Sequence, residues 1–307
     1  MLKVVFMGTP EISAQILKTL SEFPNIEIVG VVSQPDKAKD RKKQFVYSPV
    51  KKFCLEHNIN LLQPDKVVQI YSKLQSMAPD IIITCAYGQF VPQKILDLPK
   101  IGCFNLHASL LPKLRGGAPI NWSIINGDKK TGITLMKMVL QMDAGDIVSA
   151  KECNIDDNET AKSLTAKLTL IAQQLLRQNW DNLIANTYNS YPQDINNVTF
   201  GYNITKQDTI IDFNKSCHQI DCLIRGLYDK PIAIWNYCDL AIKVHSANLT
   251  SIKSTLHPGA ITRIDKTGIY VATNDYDLQI IKLQLPNKAP LEVKQIINGH
   301  HCFKLGK

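Results

Sequence analysis

Short apolar runs recur between amphipathic stretches through the first half of this 307-residue chain, and that alternation constrains its fold most. The runs span 3–7, 28–33, 80–86, 102–107 and 132–139. They are nearly continuous in apolar residues, as strands buried on both faces must be. Helical patterns separate or follow them at 12–23, 50–57, 67–75 and 118–126. A further stretch, 160–176, carries Leu164, Leu168, Ile171 and Leu175 along one face. Strand and helix in alternation predict an α/β fold, a doubly wound and mostly parallel sheet. Ligands of such sheets bind beyond the carboxyl ends of the strands.

From about 186 to 206 the periodicity fades into T-Y-N-S-Y-P-Q-D-I-N-N-V-T, a polar, turn-rich segment. The expected organisation is a domain over 1–189, a linker over 190–207 and a second domain over 208–307. In the second domain a strand over 208–213 and a helix over 217–227 precede short strands at 232–235, 240–246, 259–265, 268–273 and 278–285. Several short strands in about a hundred residues predict a small barrel of the oligonucleotide-binding type.

Composition sets the class. With 45% hydrophobic and 20% charged residues the chain reads as an ordinary globular protein. No apolar run reaches the roughly 20 residues of a membrane helix. The amino-terminal M-L-K-V-V-F-M-G-T-P has no small-residue cleavage site and reads as a first buried strand, so the expected compartment is the cytoplasm. Eight cysteines are irregularly spaced without C-x-x-C, as reduced core thiols are. His300, His301 and Cys302 adjoin, but neighbours of that kind make no closed metal site alone. The net charge of +8 points toward an acidic partner. Its focus is Lys37, Lys39, Arg41, Lys42, Lys43, Lys51 and Lys52, offset only by Asp36 and Asp40. Such a cluster is either a solvated surface or a phosphate-contacting loop.

The chemistry concentrates in F-N-L-H-A-S-L-L-P-K-L-R-G-G-A-P-I, residues 104–120. Asn105 and His107 stand two apart on a predicted strand, so both side chains point to one face. An amide that donates and an imidazole that titrates near neutrality suit an oxyanion developing on a carbonyl, with proton transfer alongside. Asp143, in Q-M-D-A-G-D after the strand ending near 139, is the carboxylate expected to join them from a carboxyl-end loop. Asp146 competes for that role. Ser109 lacks a G-x-S-x-G elbow, so a hydrogen bond in the turn is its expected work. The residues alone leave the reaction open. A histidine at a strand end also serves as a packed core residue, Arg115 can cap a carboxylate, and G-G-A-P also makes a plain turn. A dinucleotide is disfavoured, because the first strand ends in M-G-T-P and lacks G-x-G-x-x-G.

The run N-L-H-A-S-L-L-P-K-L-R-G-G-A-P-I resembles the signature of the folate-dependent formyltransferases. The likeness extends along the chain through F-M-G-T-P, S-Q-P-D, S-P-V-K, A-Y-G-Q-F-V-P, Q-M-D-A-G-D, I-T-K-Q-D-T-I-I-D-F and P-G-A-I. The resemblance implies a Rossmann-like formyltransferase domain followed by an OB-like tRNA-binding barrel, working without a metal; the sequence shows no conspicuous self-association motif, so a monomer is expected. It implies formyl transfer from 10-formyltetrahydrofolate to the α-amino group of methionine on initiator methionyl-tRNA. Asn105, His107 and Asp143 would be catalytic. Folate would meet Ser109, Leu110, Leu111 and Pro112, and a pterin wall of Tyr87, Gly88 and Phe90. Lys39, Arg41, Lys42, Lys43 and Lys206 would approach the tRNA. Within the family, glycinamide ribonucleotide formyltransferases usually end after the catalytic domain. Formyltetrahydrofolate hydrolases carry an amino-terminal regulatory domain. Sugar-nucleotide formyltransferases should not need the Lys/Arg loop.

Overall fold

A computed structural model of the chain describes residues 1–36, 46–298 and 301–306. It divides into two compact units. The first comprises Met1–Pro119, Thr131–Cys153 and Thr165–Tyr202; the second comprises Ile120–Lys130, Asn154–Leu164 and everything from Asn203 onward. Among the described residues no helix is long and apolar enough to cross a membrane.

The first sheet is built from β1 (Leu2–Gly8), β2 (Ile26–Val32), β3 (Leu61–Leu62), β4 (Ile81–Cys85), β5 (Gly102–His107), β6 (Lys130–Lys137) and β7 (Ile147–Asn154). Their order is β3-β2-β1-β4-β5-β6-β7, and β3 through β5 run parallel. The chain winds outward in one direction from β1 and returns past it to β4, so a topological switch point lies between those strands. Helices α1 (Glu11–Ser21), α2 (Pro49–Glu56), α3 (Tyr71–Met77), α4 (Gln93–Leu96), α5 (Pro119–Ile125) and α6 (Ala161–Ile184) follow the strands. Ser48 starts α2 by accepting the Lys51 N–H, with Pro49 at the first helical position. Every residue of β4 is buried, as the continuous apolar run requires.

β6 departs from the parallel pattern. It pairs antiparallel with β5, His107 opposite Thr134 and Phe104 opposite Lys137. The chain therefore leaves β6 beside Cys103, whose carbonyl accepts the Met138 N–H at 2.9 Å. That corrects the expectation of a carboxyl-end loop for residues 138–146. They begin at the opposite end of β5 and reach His107 only by folding back along the sheet.

Asp80 ties three strands together just before β4. Its carboxylate accepts the Lys3 N–H at 2.8 Å and the Lys100 ammonium at 2.7 Å. The Lys100 ammonium, and after it the Lys3 N–H, hold this carboxyl below its ordinary pKa. Asp80→Asn is expected to cost about 1 kcal/mol at neutral pH, discounted because Lys100 is largely exposed. A depressed folded pKa stabilises above the unfolded value, about 3.9, and the contribution fades as the pH falls through the lower folded value. Denaturant melts of the two proteins should therefore converge in acid. A gap that persists there would sink the assignment.

The second unit carries α7 (Cys217–Gly226), capped by the Ser216/Gln219 box. Then come β8 (Ala233–Tyr237), β9 (Leu240–Lys253), β10 (Ile261–Asp265), β11 (Gly268–Val271), β12 (Tyr276–Gln284), β13 (Leu291–Glu292) and α8 (Val293–Ile297). The sheet runs β10-β11-β12-β9-β8, with β13 also paired to β12, and all its described pairings are antiparallel. β9 spans 14 residues, and three register shifts against β12 let the sheet coil. Side chains from β8 through β12, α7 and α8 enter one core around Trp235, Tyr237 and Phe303, consistent with a small barrel. No strand forms at 208–213. Thr205 and Asp208 close a short turn there, and only Ile210 bridges to Ile234.

Candidate active site

β5 brings Asn105 and His107 to one face, as the two-residue spacing requires. Asn105 lies opposite Thr84 of β4 in register. Thr84 Oγ1 donates to Asn105 Oδ1 at 2.8 Å. That contact fixes the amide's orientation and leaves Nδ2, with its two donors, for a different partner.

His107 is buried, at 6% exposure. Its Nε2 lies 2.9 Å from the Leu114 carbonyl. A carbonyl only accepts, so Nε2 carries the proton and the neutral ring keeps its lone pair on Nδ1. Nδ1 faces Asp143 Oδ1 at 3.7 Å. The separation exceeds a hydrogen bond, yet one atom can sit roughly 2.8 Å from both. The geometry can receive a proton at Nδ1, where the resulting imidazolium would face a carboxylate.

Asp143 itself adopts φ 50°, a left-handed conformation uncommon outside glycine. Its Oδ2 accepts the Gly116 N–H at 2.8 Å, which aims Oδ1 at the imidazole. Gly116 sits at φ +121°, and a Cβ there would meet the Gly201 carbonyl at 2.8 Å. The turn after β5 thus needs glycine for two independent reasons. Asp146, the competing carboxylate, instead lends its backbone carbonyl to the Lys137 N–H at 2.9 Å and closes the loop.

The other expected residues divide by position. Ser109 is buried, and its hydroxyl donates to the Lys113 carbonyl at 2.6 Å, the turn role expected of it. Leu111 is buried with Met136 and Ile147, and its N–H donates to Thr134 Oγ1 at 3.1 Å. Leu110 and Pro112 are half-buried on either side. Tyr87 is turned into the core with Val5, Met7 and Val91, and its buried hydroxyl has no hydrogen-bond partner. The same burial pushes that phenol well above its ordinary pKa. Gly88 takes φ +77° and packs on the Gln34 amide. Phe90 is 65% exposed; Val139, Leu140 and Met142 are also exposed on the loop that carries Asp143. Lys206 is exposed in the second unit. Lys39, Arg41, Lys42, Lys43 and His300 lie outside the described residues.

Two residues that orient the site escaped the sequence reading. Thr84 reads only as one polar residue in an apolar strand, although it sets the Asn105 amide. Thr134 accepts from Leu111 and donates to the Ser109 carbonyl at 2.7 Å, pinning the turn to β6. A hydroxyl inside a buried apolar run is the signal that could have marked both, since buried polar groups need partners.

Comparisons with known proteins bear on the family and the fold. The formyl transferase family profile matches residues 2–179, and the formyl transferase C-terminal domain profile matches 203–301. A methionyl-tRNA formyltransferase of Ureaplasma urealyticum is 48% identical over 300 residues, covering 98% of each chain. That of Bacillus subtilis is 40% identical over 304 residues, covering 98% of this chain and 96% of its own. Among solved structures, an N-formyltransferase from Helicobacter canadensis in complex with folinic acid and dTDP-3-aminofucose superposes with a TM-score of 0.65 at 18% identity. It covers 91% of this chain and 99% of that one. HypX from Aquifex aeolicus in complex with tetrahydrofolic acid gives 0.65 at 13% identity, over 95% of this chain and 46% of that one. At such identities the structural likeness speaks for the fold alone.

Proposed function

The chain belongs to the formyl transferase family, and we propose that it formylates methionine on initiator tRNA. The formyl group of 10-formyltetrahydrofolate moves to the α-amino group, giving formylmethionyl-tRNA for translation initiation. The observation that carries this reading is the convergence of Asn105, His107 and Asp143 on one side of β5. The acceptor is assigned by relatives of that name matching both units end to end.

The residues divide the chemistry. Asn105 Nδ2 donates to the formyl oxygen, where negative charge grows as the amine attacks the formyl carbon. His107 Nδ1 takes the proton that the amine loses when the new C–N bond forms. The same proton is then returned to N10 of tetrahydrofolate as the old C–N bond breaks. Asp143 faces the ring during the interval in which it is charged. No side chain need be acylated.

The donor fits what surrounds this centre. Phe90, Val139, Leu140 and Met142 expose apolar surface on which the faces of a pterin ring would stack, leaving its polar edge for hydrogen bonds. The segment Ser109-Leu110-Leu111-Pro112 supplies the adjoining backbone, with Tyr87 and Gly88 behind Phe90 in the chain. The site needs no metal in this scheme. We assign tRNA contact to the basic loop with Lys39, Arg41, Lys42 and Lys43, to Lys206 and to the second unit. The enzyme is read as a cytoplasmic monomer with no membrane partner.

The deciding experiment supplies 10-formyltetrahydrofolate with initiator Met-tRNA, free methionine and a UDP-amino sugar in competition. Formylation confined to Met-tRNA is expected. Transfer to the sugar, or hydrolysis alone, would retain the donor site but reassign the acceptor. Replacing Arg41, Lys42 and Lys43 by alanine should weaken tRNA binding and flatten its dependence on log salt by roughly 0.7–0.9 per lost phosphate contact. Unchanged affinity across a salt series would return the loop to an ordinary solvated surface.

A further inference from the structure

Gln193 lies in the segment that reads in sequence as linker, yet its side chain is tied into the site. We propose that Gln193 is a positioning residue that fixes the backbone of the Asp143 loop for formyl transfer. The proposal rests on the assignment of Asp143 to the reacting centre.

The amide has a fixed orientation. Arg115, 6% exposed, donates from Nε at 3.1 Å and from Nη2 at 2.8 Å to Gln193 Oε1. A guanidinium only donates, so the oxygen must face Arg115 and the nitrogen must face away. Gln193 Nε2 then spends both its protons on the loop, on the Asp143 carbonyl and the Gly145 carbonyl, each at 2.8 Å. A positive charge on the oxygen side polarises the amide and strengthens both donations.

What the amide grips is a backbone with little freedom of its own. Asp143 is in the left-handed region at φ 50°. At Gly145 a Cβ would stand 2.0 Å from the Lys137 carbonyl, so the loop passes there only as glycine. Left-handed conformations of this kind persist where the surroundings over-determine them. Gln193 does so from the main chain, and Gly116 does so from the carboxylate. Adjacent residues 115 and 116 therefore both control Asp143, one through Gln193 and one directly.

Gln193 is itself held at both ends. Tyr191 exchanges hydrogen bonds with Ile147 at 3.0 and 2.9 Å. Downstream, Arg115 donates its N–H to Thr199 at 2.9 Å, and Gly201 donates to the Arg115 carbonyl at 2.8 Å. A side chain braced in this way transmits position to what it touches.

The rival role is that Gln193 merely satisfies a buried arginine. Gln193→Glu separates the two. It keeps an oxygen for Arg115, now in an ion pair, but turns the other oxygen toward two carbonyls that it cannot serve. Kinetics with 10-formyltetrahydrofolate and Met-tRNA, and hydrogen exchange over 141–146, should be measured for wild type, Gln193→Glu and Gln193→Ala. Both variants are expected to lose about 10²-fold in kcat, with KM for Met-tRNA little changed and exchange of the loop accelerated. Wild-type kcat in Gln193→Glu would overturn the proposal, as would a rise in KM with kcat intact. Should the wild type fail to formylate Met-tRNA, the functional reading falls by itself. Loop exchange unaltered in both variants would then still overturn the positioning role.

Discussion

His107→Gln is expected to lower kcat for formyl transfer by about 10²–10⁴-fold while leaving Met-tRNA affinity near that of wild type. The ring serves two masters. Nε2 donates to the Leu114 carbonyl and supports the turn, while Nδ1 is the atom turned toward Asp143. Glutamine can replace the first contact with its own N–H, so the turn keeps its donor. It cannot take a proton at neutral pH, so the second function is lost. His107→Ala removes both at once, and leaving a buried carbonyl unpaired adds roughly 1–3 kcal/mol of instability. Activity should therefore fall in both variants, and the melting temperature more in alanine than in glutamine. Single-turnover kinetics beside a filter-binding isotherm would check this. A glutamine variant that transfers formyl at the wild-type rate removes His107 from the proton path, and one that loses tRNA breaks the division of labour.

The parts of the site within one strand were legible; those that depend on chain return were not. Asn105 and His107 share a face because any strand places i and i+2 together, whatever surrounds it. The turn after them was visible in its prolines and glycines, although only the structure shows why Gly116 is required. Asp143 was found in the sequence by an argument that the fold does not follow. β6 reverses direction, and a two-residue hairpin signal announcing that reversal is missing between 108 and 129, where a long excursion with its own helix intervenes. The loop still delivers the carboxylate because Gly116 and Gln193 draw it back along β5. Gln193 was hidden for a related reason. Tyr191, Gln193 and Thr199 make their bonds to residues 147, 143 and 114, and a polar segment gives no periodic sign of such distant partners. In the second unit, the sequence pattern marks seven residues of β9 where fourteen are extended. Its second half is mostly exposed and polar, so burial, the usual signal, is absent there.

Asp143→Asn should abolish most of the activity, by about 10³-fold in kcat, with the fold intact. The substitution changes one atom, and its consequence follows from the two neighbours. Gly116 offers an N–H at 2.8 Å and must keep an acceptor, so the asparagine oxygen takes that side. The –NH₂ is then left facing His107 Nδ1 across the 3.7 Å gap. In the neutral ring that nitrogen holds the lone pair, because Nε2–H is committed to Leu114. A small rotation lets the amide donate to it. The base is thereby occupied by a donor where the wild type presents a carboxylate, and the charge that would face the imidazolium is gone as well. Asp143→Ala lacks the blocking donor and leaves Gly116 open to water, so it should retain more activity than asparagine despite being the larger deletion. Measured side by side at saturating Met-tRNA, asparagine below alanine is the expected order. The reverse order would mean that Nδ1 is not the proton acceptor, and that the carboxylate itself takes the proton from the attacking amine.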